Sequence, residues 1–142
     1  MEYRQLGHSD LKLPVVSFGA WAIGGWLWGG TDDAAAIRAI HCATDVGITC
    51  IDTAPTYGMG HSETIVGKAI AGRRDKVIVA TKCGVRWDLA EGQFSMDTKM
   101  NDGTSCKLYR NLRPNAIKYE CDQSLRRLGV DVIDLGMVMT QM

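Results

Sequence analysis

The feature that most constrains this chain is an alternation: short apolar runs exchange with helical periods, three times over, along one uninterrupted sequence. Residues 15–20, 48–52, 77–80 and 132–135 read as strands. The run Val77-Ile78-Val79-Ala80 has the continuous β-branched character of a parallel strand covered on both faces. Helices fill the intervals. Thr31-Asp32-Asp33 offers a cap and first-turn acids, Ile37, Ile40, Ala43 and Val46 share one side, and Gly47 is a stop. Ser62 is placed to cap a second helix carrying Ile65, Val66, Ala69 and Ile70 and ending near Gly72. Pro114 suits the first position of a third, whose stripe is Ile117, Cys121, Ser124 and Leu128 and whose stop is Gly129. The order β-α-β-α-β-α-β implies right-handed parallel crossovers within a single α/β unit over residues 1–142. A doubly wound sheet and part of a (β/α)8 barrel both satisfy it.

Outside the alternation, residues 3–6 and 11–13 flank Gly7-His8-Ser9-Asp10 and read as a small hairpin. A glycine- and tryptophan-rich loop occupies residues 21–30. Residues 83–113 form a long polar connection with no distinctive cluster.

Composition excludes several functions. Sixteen basic and 16 acidic residues give a net charge of +0 with no basic run, so no nucleic-acid partner is expected. The longest uncharged stretch, residues 13–31, is broken by Pro14 and five glycines, so no membrane span is expected. The first residues carry no signal-peptide pattern, and a cytoplasmic location is expected. Five cysteines, odd in number and without a CxxC pair, read as reduced apolar thiols, with no metal site.

Three polar residues stand where strands give way to loops. Asp52 ends the second strand, Tyr57 lies in the loop after it, and Lys82 ends the third. In parallel βα units such positions face the same end, so the three can converge. Taken singly, a strand-end Asp more often caps a loop and a strand-end Lys more often reaches water; together, in successive units, they compose a proton donor. A free phenol titrates near pH ~10. A neighbouring ammonium favours its phenolate, and a carboxylate holds that ammonium charged and in place. Such a set suits protonation of a carbonyl oxygen.

The motifs then point to a family. Asp52-Thr53-Ala54-Pro55-Thr56-Tyr57-Gly58, Ser62-Glu63, Thr81-Lys82 and Ser124-Leu125-Arg126-Arg127-Leu128-Gly129-Val130-Asp131 resemble the signatures of the aldo-keto reductases, in order and spacing. Leu6-Gly7 and Phe18-Gly19-Ala20-Trp21 are similar too, and the likeness runs from about residue 3 to residue 135. This resemblance implies a (β/α)8 barrel of the TIM type, of which this chain holds about half. It also implies NADPH-dependent reduction of aldehydes or ketones. Tyr57 would then be the general acid, tuned by Lys82 and Asp52. Gly19, Ala20, Trp21 and Asp52 would lie beside the nicotinamide, and Trp21, Trp26 and Trp28 would shape the substrate pocket. For Trp26 and Trp28 a packing role is an equal expectation.

Two departures qualify that expectation. The family's fourth strand leads to a histidine that polarises the substrate carbonyl. Residues 136–142 depart from the pattern, and Met139, which cannot donate a hydrogen bond, falls at that place. A complete barrel also needs about 250 residues. A truncated half-barrel, catalytically incompetent or acting as an interaction module, is therefore the alternative reading; the potassium-channel β subunits resemble the family in this second sense. Its open edges and inner face predict self-association. Other signatures fall away: Gly58-Met59-Gly60-His61-Ser62-Glu63 lacks the third glycine of a dinucleotide fingerprint, and Gly67-Lys68-Ala69 lacks the hydroxyl of a P-loop.

Overall fold

The computed structural model describes residues 1–139. An antiparallel hairpin opens it, β1 (Tyr3–Gln5) against β2 (Lys12–Pro14), as the polar turn between them predicts. Four parallel strands follow: β3 (Phe18–Gly19), β4 (Cys50–Asp52), β5 (Ile78–Cys83) and β9 (Leu135–Val138). Their spatial order, β3-β4-β5-β9, is their order along the chain, with no reversal. A doubly wound sheet must reverse at its switch point. Here α1 (Asp33–Asp45), α2 (His61–Ile70) and α3 (Pro114–Leu128) pack side by side on one face. That is half of a singly wound (β/α)8 barrel.

The core between sheet and helices follows from strand alternation. Ile51, Val77 and Val79 pack against Ile40 of α1, Val66, Ala69 and Ile70 of α2, and Leu128 of α3. Alternation sends Asp52, Ile78, Ala80 and Lys82 to the opposite, inner face. α2 and α3 approach so closely that a Cβ on Gly67 would overlap the backbone of Leu128.

Several boundaries differ from expectation. The α1 cap is Asp32, whose carboxylate accepts from the Ala35 amide at 2.8 Å, and not Thr31. Gly60, with φ 90°, caps α2; Ser62 is already inside the first turn and buried. The last strand begins at Leu135 and not at 132, because Asp134 is used below the sheet, accepting from the Val79 amide and from Arg74. Of the departing segment, residues 136–138 are strand, paired in parallel with β5, and residues 140–142 lie outside the described residues.

The connection over residues 83–113 carries a sheet of its own. β6 (Val85–Arg86), β7 (Gln93–Lys99) and β8 (Ser105–Arg110) pair antiparallel in the order β6-β8-β7. Trp26, Met59, Val85 and Leu108 form a second apolar cluster beneath it, joined by Trp87, Met100, Cys106 and Met139. This sheet therefore packs over the ends of the barrel strands.

Candidate active site

The C-terminal ends of the parallel strands form one rim, the end at which (β/α)8 barrels assemble their chemistry. Asp52 stands there on β4 and Lys82 on β5. The Lys82 ammonium donates to both Asp52 oxygens, at 2.8 and 3.0 Å, and to the Thr53 carbonyl at 3.0 Å. Its Nζ lies 4.8 Å from the centroid of the Tyr57 ring. The three residues singled out at the strand ends are thus brought into one constellation.

The Tyr57 loop is held by tight turns. The amides of Tyr57, Met59, Gly60 and His61 donate to the carbonyls of Ala54, Thr56, Pro55 and Gly58. Gly58, Met59 and Gly60 all take positive φ. A Cβ on Gly58 would overlap the carbonyl of Gly24, so glycine is required for the close approach as well as for the dihedral. Ser62 ties the rim together from behind, donating to the Ala20 carbonyl at 2.7 Å and bonding the Thr53 hydroxyl at 2.9 Å.

Trp21 stacks on Tyr57, centroids 5.9 Å apart and planes 25° apart, and Trp28 meets Trp21 edge-on at 5.9 Å. Both indoles are exposed. Trp26 is not part of this wall: it is buried in the second cluster and donates through Nε1 to the Thr98 hydroxyl at 2.9 Å. Gly19 pairs with Asp52, and a Cβ built on it meets nothing within 4 Å. Open space beside the Asp52–Lys82 pair, bounded by a flat indole, fits the ring end of a nicotinamide.

Met139 sits at the end of β9. Its amide donates to the Cys83 carbonyl at 2.8 Å, and the Thr56 hydroxyl points at its sulfur at 3.7 Å. Two large concavities lie elsewhere. One of about 1040 Å³ opens between the tryptophan loop and β7–β8, and one of about 1070 Å³ lies between α2 and α3. Neither is lined by Asp52, Tyr57 or Lys82.

Three polar residues escaped the sequence reading. Glu63 is fully buried, accepting from the Thr81 hydroxyl at 2.7 Å and from Arg127 Nε at 2.6 Å. It joins α2, β5 and α3 directly behind the rim; its place in the Ser62-Glu63 motif was the available signal. Glu120 is buried with Oε2 on the Gly84 amide at 2.8 Å and Oε1 unpartnered. Burial pushes its carboxyl above the usual range, opposed by the Gly84 bond and by Arg86. Asn101 donates to the Gly24 carbonyl at 2.7 Å. His61 meets Asp33 at 2.8 Å; burial raises the Asp33 carboxyl, but the bond and charge of His61, with the Thr31 hydroxyl and Lys68, together hold it below its ordinary value. All five cysteines are free, and the described residues contain no cluster able to hold a metal ion. No helix among them is long and apolar enough to cross a membrane.

Comparison with known proteins gives the family. The model of the aldo/keto reductase family matches residues 15–138, and the chain belongs to that family. It is 44% identical over 140 residues to the aldo-keto reductase YhdN of Bacillus subtilis, covering 97% of this chain and 38% of that protein. It is 43% identical to the NADH-specific methylglyoxal reductase of Escherichia coli, covering 96% of this chain and 41% of that one. Among solved structures, the glycerol dehydrogenase AKR11B4 of Gluconobacter oxydans is 46% identical with a TM-score of 0.76, over 96% of this chain and 38% of its own. The holo form of AKR11C1 from Bacillus halodurans is 34% identical with a TM-score of 0.78, over 97% and 40%. The chain thus spans about two fifths of the relatives it matches.

Proposed function

We propose that this chain carries the proton-donating rim of a nicotinamide-dependent carbonyl reductase, acting on small aldehydes or ketones. The observation that carries the reading is Lys82, which binds both oxygens of Asp52 while lying 4.8 Å from the centre of the Tyr57 ring. Tyr57 gives its hydroxyl proton to the substrate oxygen. Lys82 stabilises the negative charge this leaves on the phenol, and Asp52 keeps Lys82 charged and in place. Trp21 and Trp28 wall the space in which the carbonyl is received. A bound nicotinamide supplies the hydride to the carbonyl carbon, so that C=O plus hydride plus proton becomes an alcohol.

For the cofactor we propose NADPH, held beside Gly19, Ala20, Trp21 and Asp52. A relative from Klebsiella pneumoniae was solved in complex with NADPH, and a Schizosaccharomyces pombe relative is named for NADP(+). The Escherichia coli relative is named as NADH-specific, so both nucleotides belong in the test. Saturable quenching of tryptophan fluorescence by NADPH, with weaker quenching by NADH, is expected. Methylglyoxal is a suitable first substrate, and Tyr57→Phe is expected to lower turnover about 10²- to 10⁴-fold, the ordinary contribution of a positioned acid. Unchanged turnover in that variant removes Tyr57 from the role.

Met139 favours a second reading, in which the half-barrel keeps these residues without turning substrate over. A thioether at the end of β9 gives no hydrogen bond to a carbonyl oxygen. Absence of nucleotide quenching in the isolated chain supports this reading over the first. In either case, among the described residues β3 and β9 each pair on one side only, and the helices cover one face, so we propose that the isolated chain self-associates. Sedimentation velocity over a concentration series tests this; a monomer at every concentration refutes it.

A further inference from the structure

The tryptophan loop reaches Tyr57 without being fixed there by the barrel alone. Residues 25–27 and 29–31 border an open groove of about 1040 Å³, and Leu27 within them is exposed with φ 65°, a left-handed conformation that a leucine adopts at a cost. Two side chains of the antiparallel sheet hold this loop. Asn101, in the turn between β7 and β8, donates to the Gly24 carbonyl at 2.7 Å. Thr98 of β7 accepts from Trp26 Nε1 at 2.9 Å. Gly24 is pressed backbone to backbone on Tyr57 and Gly58, so closely that a Cβ on it would lie 2.5 Å from the Tyr57 carbonyl carbon. The chain of contact runs Asn101, Gly24, Tyr57, and the same loop carries Trp21 onto the Tyr57 ring and Trp28 onto Trp21.

We propose that the β7–β8 hairpin is a clamp on the active-site wall and that Asn101 is a positioning residue. By fixing the Gly24 carbonyl it sets where Trp21 and Trp28 stand relative to Tyr57, and so the width of the space that receives the carbonyl. Asn101 touches neither Asp52, Lys82 nor the Tyr57 side chain, so it acts on substrate fit and not on proton transfer. Thr98 holds the buried end of the same loop and acts in the same direction.

This rests on the carbonyl-reductase reading for its kinetic consequence but not for its structural one, and the two are measured separately. Hydrogen exchange with mass spectrometry compares the intact chain with Asn101→Ala and Thr98→Val. Amides over residues 21–31 are expected to exchange about fivefold faster in Asn101→Ala, the factor matching one hydrogen bond of ordinary net strength. Those of α2 should hold their rates. Acrylamide quenching of tryptophan fluorescence should rise in parallel. In steady-state kinetics Asn101→Ala should raise KM for the carbonyl severalfold, with kcat and its pH profile unchanged. Unaltered exchange over residues 21–31 in both variants overturns the clamp, even if the parent reduces carbonyls. Faster exchange with no turnover in the parent leaves the clamp standing and removes the reductase reading. If Asn101→Ala does not fold, Thr98→Val decides alone: it preserves side-chain shape, and faster loop exchange supports the clamp while unchanged exchange refutes it.

Discussion

Replacing Arg127 by Ala tests whether the buried carboxylate behind the rim is held by a single cation. Glu63 has no exposed surface, and its oxygens each have one donor, the Thr81 hydroxyl at 2.7 Å and Arg127 Nε at 2.6 Å. Without Arg127 the carboxylate keeps a neutral hydroxyl as its donor and no compensating charge. Removing one partner of a buried pair costs about 3–5 kcal/mol. The Arg127 side chain is 20% exposed, so water can reach the vacated site, and the low end, about 3 kcal/mol, applies. At about 2.1 cal/mol/K per residue, a chain of 142 residues unfolds with an entropy of about 0.3 kcal/mol/K. The melting temperature should therefore fall by about 10 °C in a thermal scan. The paired replacement Glu63→Gln with Arg127→Met separates charge from packing. It leaves no ion to desolvate and keeps an acceptor for Thr81, so it should recover most of the loss. A fall of about 2 °C or less in Arg127→Ala, or a paired variant as unstable as the single one, refutes the account.

Glu120 gives a pH dependence whose sign is fixed by its raised carboxyl. Stability from a carboxyl raised above its ordinary 4.5 is fully present below that value and is lost as pH rises through the folded-state value. Glu120→Gln should therefore gain on the parent in denaturant midpoint as the pH is raised from acid to neutral; a constant difference between the two proteins refutes this. Gly58→Ala combines a φ of +66° with overlap onto the Gly24 carbonyl, and should lose at least about 3 kcal/mol or fail to fold. A near-parental denaturation midpoint would show that the two glycine loops separate freely.

The alternation made the parallel strands and three helices legible, because each buried strand and each helix stripe is a local pattern. Strand order was not local. It follows from which helix packs on which, and the family motifs carried that choice. The two caps differ from expectation for separate reasons: the Ala35 amide is taken by Asp32 and not by Thr31, and Ser62 is drawn inside by the Ala20 carbonyl and the Thr53 hydroxyl. The antiparallel sheet was overlooked although its signal was present. Phe94, Met96 and Thr98 alternate with Ser95, Asp97 and Lys99, their partners across the ladder are Tyr109, Leu108 and Cys106, and Asn101-Asp102-Gly103 is a turn between. Polar composition hid the alternation, since β7 is mostly exposed and only Leu108 of β8 is fully buried.

The antiparallel sheet bears on the candidate site itself. Asp52, Tyr57 and Lys82 were legible because each sits at the end of a strand or in the loop directly after one, and a parallel sheet brings such ends together whatever lies between. The aromatic wall obeys a different rule. Trp26 and Trp28 are two residues apart, yet one is buried on Thr98 and the other stands exposed against Trp21. What separates their fates is β7, which supplies a hydroxyl for one indole and leaves the other free to face the rim. A barrel strand end therefore places the proposed proton donor by topology, whereas the aromatic wall beside it depends on a sheet some 70 residues further along the chain, 72 between Trp26 and Thr98 and 77 between Gly24 and Asn101. Changes in that sheet can then move the Trp21–Trp28 wall while the Asp52–Lys82–Tyr57 geometry is preserved.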